Sequence, residues 1–248
     1  MNAYMRLIVF DLRLYLRDWQ TIFWVLIYPV LMLVIFGSMY GDQVDPDTGE
    51  RFIVTYVPAL CVLNIISVAL FTLSINMITH RENGTLRRYR VTPIRSSAVL
   101  LSHSIQGLLL VFAGALEIIL VAKLIWDIEI TASALITLLG CLLFGCIAFF
   151  GLGFAMSGLA NNPGAASGLA MIIFFPMLFL SGVTMPVKLL PQVMQSISEW
   201  LPMTYMVKLA QGVWQGTALS SFGMEFAVLG GSAVIFTGLA LWLFRWEN

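Results

Sequence analysis

Residues 80–97 read HRENGTLRRYRVTPIRSS, a stretch that places five arginines between two long apolar runs. Hydrocarbon does not solvate guanidinium groups, so this segment must lie in water while the runs on either side cross a bilayer. An excess of arginine marks the cytoplasmic side, and every other segment can be oriented from it.

Composition agrees with that start. Of 248 residues, 60% are hydrophobic and 10% charged, against about 25% charged in a soluble domain, and the mean hydropathy is +0.93. The 13 basic and 13 acidic residues cancel, but the two signs sit in different loops, which argues against a nucleic-acid partner. A spanning helix needs about 20 apolar residues. Candidates lie near 22–40, 53–79, 98–122, 132–160, 165–183 and 222–244. The expected fold is an all-α integral membrane protein with six transmembrane helices, forming one domain over 1–248. The loops are too short for a soluble catalytic domain, so any ATPase, kinase or protease activity must come from a partner. Cys61, Cys141 and Cys146 all fall in apolar segments and read as packed thiols, not as disulfides or a metal cluster.

Residues 1–20, MNAYMRLIVFDLRLYLRDWQ, lack the form of a cleaved signal. At 100° per residue Arg6, Arg13 and Arg17 share a stripe opposite Ile8, Leu12, Tyr15, Leu16 and Trp19, which predicts an amphipathic helix along the inner membrane surface. After the first span, Asp45-Pro46-Asp47-Thr48-Gly49 is an acidic turn expected outside, too short for a calcium-binding EF-hand. The second span starts near Pro58 and carries Asn64, Ser67, Phe71 and Ser74 on one stripe, either a translocation path or a helix-packing seam. Glu117 is the acid well inside an apolar run, expected near the outer end of span three within reach of headgroups or Lys123. A coupling-ion role is the functional alternative.

Gly140, Gly145, Gly151, Gly153, Ser157 and Gly158 in span four, then Gly164 to Gly168 in span five, predict close helix approach across a tight inner turn at Asn161-Asn162-Pro163. Pro176 is expected to interrupt span five. Residues 184–208 are too polar and Pro-rich to cross. Between Pro191 and Pro202, Gln192, Gln195, Ser196 and Glu199 oppose Val193, Ile197, Trp200 and Leu201, which predicts a short helix in an outer re-entrant segment between spans five and six. The last span returns to a cytoplasmic Arg245. Counting Lys and Arg puts nine inside and four outside (Arg51, Lys123, Lys188 and Lys208), with both termini in the cytoplasm.

Catalytic chemistry is missing from the sequence. No G-x-x-x-x-G-K-[ST] or H-E-x-x-H occurs, and Ser157, a serine among small residues, has His80 and His103 as the chain's histidines, both at inner ends of spans. The arginine segment therefore carries the functional information. It can be a site for anionic lipid. Yet Arg81-Glu82-Asn83-Gly84-Thr85 followed by Val91-Thr92-Pro93-Ile94 has a glycine that breaks one helix and a proline that ends the next, which describes a short helix parallel to the membrane.

In two motifs the chain resembles the membrane subunits of type-2 ABC exporters, particularly the daunorubicin-resistance and nodulation-export permeases. The first is Arg81-Glu82-x-Gly84-Thr85-Leu86 … Thr92-Pro93. The second is Leu180-Ser181-Gly182-Val183-x-x-Pro186 … Leu190-Pro191 … Leu201-Pro202-x-Thr204-Tyr205. The resemblance implies a permease in the cytoplasmic (inner) membrane that pairs with a second permease, expected to be an identical copy, and with two copies of an ABC ATP-binding subunit. ATP and Mg would be bound by that ATPase, leaving no cofactor in this chain. It further implies that residues 80–97 couple to the ATPase through Arg81, Glu82, Gly84, Thr85, Arg87, Arg88, Thr92 and Pro93. Residues 1–20 become the connecting helix, and 184–208 an outer gate built on Ser181, Gly182, Pro186, Pro191 and Pro202. Tyr89-Arg90 departs from the apolar pair many relatives carry. An aromatic lining of Asn64, Ser67, Phe71, Phe174, Phe175 and Phe179 suits export of drug-like or lipid-like amphiphiles. Lipid-linked saccharide, peptide or ion export remains open, as does a non-transport scaffold or channel.

Overall fold

A computed structural model describes residues 19–44, 49–84 and 96–243. Outside the described residues lie 1–18, with Arg6, Arg13 and Arg17, the acidic turn 45–48, residues 85–95, with Thr85, Arg87, Arg88, Thr92 and Pro93, and 244–248, with Arg245.

Among the described residues, six helices are long and apolar enough to cross a membrane. The first span is α1 (Trp19–Ile22), a π-helical stretch at Phe23–Ile27 and α2 (Tyr28–Tyr40). The second is α3 (Phe52–Ser67), a π-helical stretch at Val68–Ser74 and α4 (Ile75–Glu82). Spans three, four and five are α5 (Ser96–Trp126), α6 (Ala132–Leu159) and α7 (Pro163–Leu180). After them come α8 (Gln192–Ser198), α9 (Pro202–Trp214) and the sixth span, α10 (Gly223–Leu243).

Several boundaries differ from the sequence expectation. The second span begins at Phe52, so Pro58 sits inside α3 and not in its first turn. Pro176 likewise lies within α7, which continues to Leu180 without interruption. Proline removes one backbone bond, and a spanning helix retains its remaining bonds where neighbours pack the site. The π-helical stretch also shifts the helical phase after Ser67, because each turn there takes up extra residues. A wheel drawn at 100° per residue across Asn64 to Ser74 is therefore out of register by its end.

Span two is the axis of the bundle, buried along nearly all its length. Glycines bring the neighbours in. A Cβ on Gly151 would meet the backbone of Phe236 and Thr237 in span six, and Gly145 lies against Ile65 and Met206. Gly153 abuts the backbone of Ala69 in span two, and Gly158 abuts Leu243. These are the close approaches expected from the run of small residues in span four. Gly140 and Gly168, by contrast, face open space.

The link from span four to span five is short. The Asn162 side chain accepts from the Ala165 amide at 2.8 Å, capping α7, and Pro163 occupies the first turn, where its missing N–H costs nothing. At the opposite end Arg51 donates to Asp42 at 3.5 Å and to the Trp126 carbonyl at 3.5 Å, tying the link after span one to the end of span three.

Candidate functional site

The described start of the arginine segment is the end of α4 and the turn at Gly84. Asn83 caps that helix, Gly84 adopts φ +68° and its amide donates to the Arg81 carbonyl at 3.1 Å. A left-handed residue just past a helix end is the standard glycine stop, because a side chain there meets the following carbonyl. Glu82 is exposed beside it.

Arg81 behaves differently. It is 8% exposed, and its guanidinium donates to the Ser157 carbonyl at 3.0 Å and the Ala160 carbonyl at 2.5 Å. These carbonyls belong to the C-terminal end of α6, where backbone acceptors lack helical partners and the helix dipole is negative. The segment's first arginine is thus bonded to the turn between spans four and five. No sequence pattern pointed to this pairing, since its partners are backbone atoms 76 and 79 residues away. Close by, the rings of His80 and His103 lie 5.2 Å apart, joining the ends of spans two and three. The Ser157 hydroxyl donates to the Phe154 carbonyl at 2.6 Å.

The six residues named as a substrate lining fall into two groups. Asn64, Ser67, Phe71 and Phe174 are fully buried within the chain. Phe71 stacks on Trp24 at 4.2 Å between ring centres, and Phe174 meets both edge-on, so the two π-helical stretches touch through an aromatic cluster closed by span five. Asn64 needs the space left by Gly114 of span three. Phe175 and Phe179 lie on the exposed face of α7 with Met171 and Ile172.

At the far end Ser181 and Thr184 are buried, and Gly182 turns the chain with φ +88°. Val187–Leu189 and α8 form a hairpin-like cap, held by Gln195 donating to the Leu190 carbonyl at 2.7 Å. Pro186 and Pro191 are exposed along it, as are Val193, Ile197 and Trp200, the apolar side of the expected short helix. Pro202 opens α9, where the Thr204 hydroxyl donates to the Ser198 carbonyl at 2.8 Å. Helix α9 then re-enters the bundle against α3, α6 and α10, and Gln211 donates to the Thr55 carbonyl at 3.1 Å. Helix α9 runs on to Trp214. Its buried Met203, Met206, Val207, Ala210, Val213 and Trp214 repeat at helical spacing among polar residues that masked them in a linear reading.

Glu117 also departs from expectation. Helix α5 runs on to Trp126, which at 1.5 Å per residue leaves Glu117 about 14 Å short of its end. Lys123, one of the two partners expected for it, is bonded instead to Asp127 at 2.6 Å.

Comparison with known proteins gives a consistent result. Residues 2–214 match the family model described as ABC-2 type transporter. The chain is 25% identical over 215 residues to YvfS of Bacillus subtilis (strain 168), named as a transport permease, covering 87% of this chain and 85% of that protein. It is 25% identical over 229 residues to the daunorubicin resistance ABC transporter permease protein DrrB1 of Streptomyces coeruleorubidus, covering 90% and 79%. It is 26% identical over 222 residues to the inner membrane transport permease YhhJ of Escherichia coli (strain K12), covering 85% of this chain and 59% of that one. With six spanning helices and a family match over most of its length, the chain belongs to the ABC-2 type transporters as a non-catalytic, multi-pass permease subunit, a membership that implies an ATP-binding partner.

Proposed function

We propose that this permease exports a drug-like or lipid-like amphiphile outward across the cytoplasmic membrane, both termini lying in the cytoplasm. Two copies pair with two ATP-binding subunits, which hold the ATP and magnesium. Residues 80–97 dock on the ATPase through Thr85, Arg87, Arg88, Thr92 and Pro93, with Glu82 and Gly84 setting the geometry, and residues 1–20 form the connecting helix along the membrane. The observation that carries this reading is the Arg81 bond pair. A displacement of the docked segment would pass directly to the turn between spans four and five. The apolar stripe of Met171, Ile172, Phe175 and Phe179 on span five then faces the substrate path and the second copy. The name of the daunorubicin-resistance relative favours a drug-like amphiphile.

The test is reconstitution with the ATP-binding partner in liposomes. Glu82→Gln removes a charge-assisted hydrogen-bond partner, and Gly84→Ala strains the φ +68° turn. Each variant should insert normally while ATP hydrolysis and export come apart, or the ATPase subunit should dissociate. Normal export from both, with loss only when several arginines are removed together, would leave anionic-lipid binding as the segment's role.

A further inference from the structure

A groove of about 400 Å³ opens between the first and third spans, lined by Ile27, Val30, Leu31, Val34, Ile35 and Glu117. Leu31, Val34 and Ile35 are exposed along its rim, so it opens sideways, toward the bilayer, at the depth of the spans. Glu117 is its one polar side chain, and the carboxylate Oε2 is buried with no hydrogen-bond partner among the described residues.

A carboxylate in such a place is costly unless it is protonated or meets a cation. The described basic side chains nearest in sequence and fold are otherwise engaged. Lys123 pairs with Asp127, and Arg51 with Asp42 and the Trp126 carbonyl. An apolar groove of small-ligand size with a single convergent acid suits a ligand that has an apolar body and one positive charge. We infer that Glu117 and this groove form a lateral binding site for a lipophilic cation, with the ammonium or related head on Glu117 and the hydrocarbon body along Val30 and Val34. A neutral amphiphile gains only the apolar contact, and an anionic one is repelled.

The test needs neither ATP hydrolysis nor transport, so its failure would leave the exporter reading standing. The full chain in lipid nanodiscs is exposed to diazirine-bearing dodecyl trimethylammonium and to chain-matched maltoside and sulfate probes, and labelled peptides are mapped by mass spectrometry. The cationic probe should label the Ile27–Ile35 stretch and the peptide around Glu117. Labelling should fall about tenfold or more in Glu117→Gln, which keeps the side-chain shape and removes the charge. Competition on the unaltered chain decides the matter even if that variant does not insert: excess unlabelled dodecyl trimethylammonium should remove the label and dodecyl sulfate should not. Equal labelling by the maltoside probe, equal competition by sulfate, an unaffected Glu117→Gln, or a groove closed to every probe by a second copy of the chain would each overturn the proposal.

Discussion

Spans two and six are nearly equal in mean hydropathy, 2.2 and 2.0, yet 89% of the most apolar stretch of the first is buried inside the chain and only 17% of that of the second. Hydropathy measures fitness for lipid, and lipid tails are as apolar as a protein core, so it cannot rank helices by centrality. What separates the two is how much of each helix its neighbours cover. Span two meets glycine on span four and Gly107 and Gly114 on span three, and carries buried Asn64, Ser67, Thr72 and Ser74. Span six meets Gly151 and Gly158 of span four, but offers its own Gly223, Gly230, Gly231 and Gly238 to open space. Burial along nearly the whole helix with small polar groups inside marks the axis; close approach along one stripe only marks the periphery.

The contrast can be broken at one residue. Gly153→Val would drive a side chain into the Ala69 backbone, which cannot rotate away, and should cost roughly 3 kcal/mol or more. Gly231→Val on the periphery should stay within about 0.5 kcal/mol. Reversible unfolding in mixed micelles measures both, and equal losses would mean that span six is as enclosed as span two.

A somewhat smaller effect is expected at the end of the axis. Arg81→Met keeps the apolar stem but leaves the Ser157 and Ala160 carbonyls without their donor, a loss of about 2–3 kcal/mol. Arg81→Lys should recover only part, since an ammonium does not reproduce the planar fork. The same unfolding measurement, with hydrogen exchange at residues 157–162, would show whether the damage is local to the turn. Gly84→Ala should cost about 1–2 kcal/mol from its left-handed backbone, and so less than Arg81→Met in stability.

The smallest effect belongs to the exposed Lys123–Asp127 pair at the other end of the bundle. The hydrogen bond and charge of Lys123 hold the Asp127 carboxyl below its ordinary value. A depressed folded-state value means that the contribution is complete above the unfolded value of 3.8 and disappears as pH falls through the lowered one. Thermal unfolding between pH 6 and pH 3 should therefore change only slightly because of this pair, and Asp127→Asn should remove that slight change. A large pH-dependent difference between the two proteins would show that the pair is shielded from water.

Much of this could be read from residue order. Apolar run length located six spans, Gly84 marked the end of span two, Asn162-Pro163 the start of span five, and Pro191 to Pro202 a short helix. These are local signals, each set by the conformational or solvation preference of a few neighbouring residues. The misreadings share a different cause. Pro58 was expected in a first turn and Pro176 to interrupt span five, but a packed span in lipid retains its helix around one missing bond. The two π-helical stretches shift helical phase, and nothing in FWVLI or VALFTLS announces a wider turn.

The sequence by itself determined that the chain crosses a bilayer and how many runs are apolar enough to do so, because transfer of each side chain between water and hydrocarbon depends on that side chain alone. Only the tertiary structure decided that span two is the axis, that Arg81 is held by α6, that α9 returns to the bundle as far as Trp214, and that Glu117 has a groove in place of Lys123. Those outcomes depend on backbone carbonyls and packed surfaces brought together from distant parts of the chain. A carbonyl has the same chemistry at every residue, and only folding selects the one that an arginine will reach.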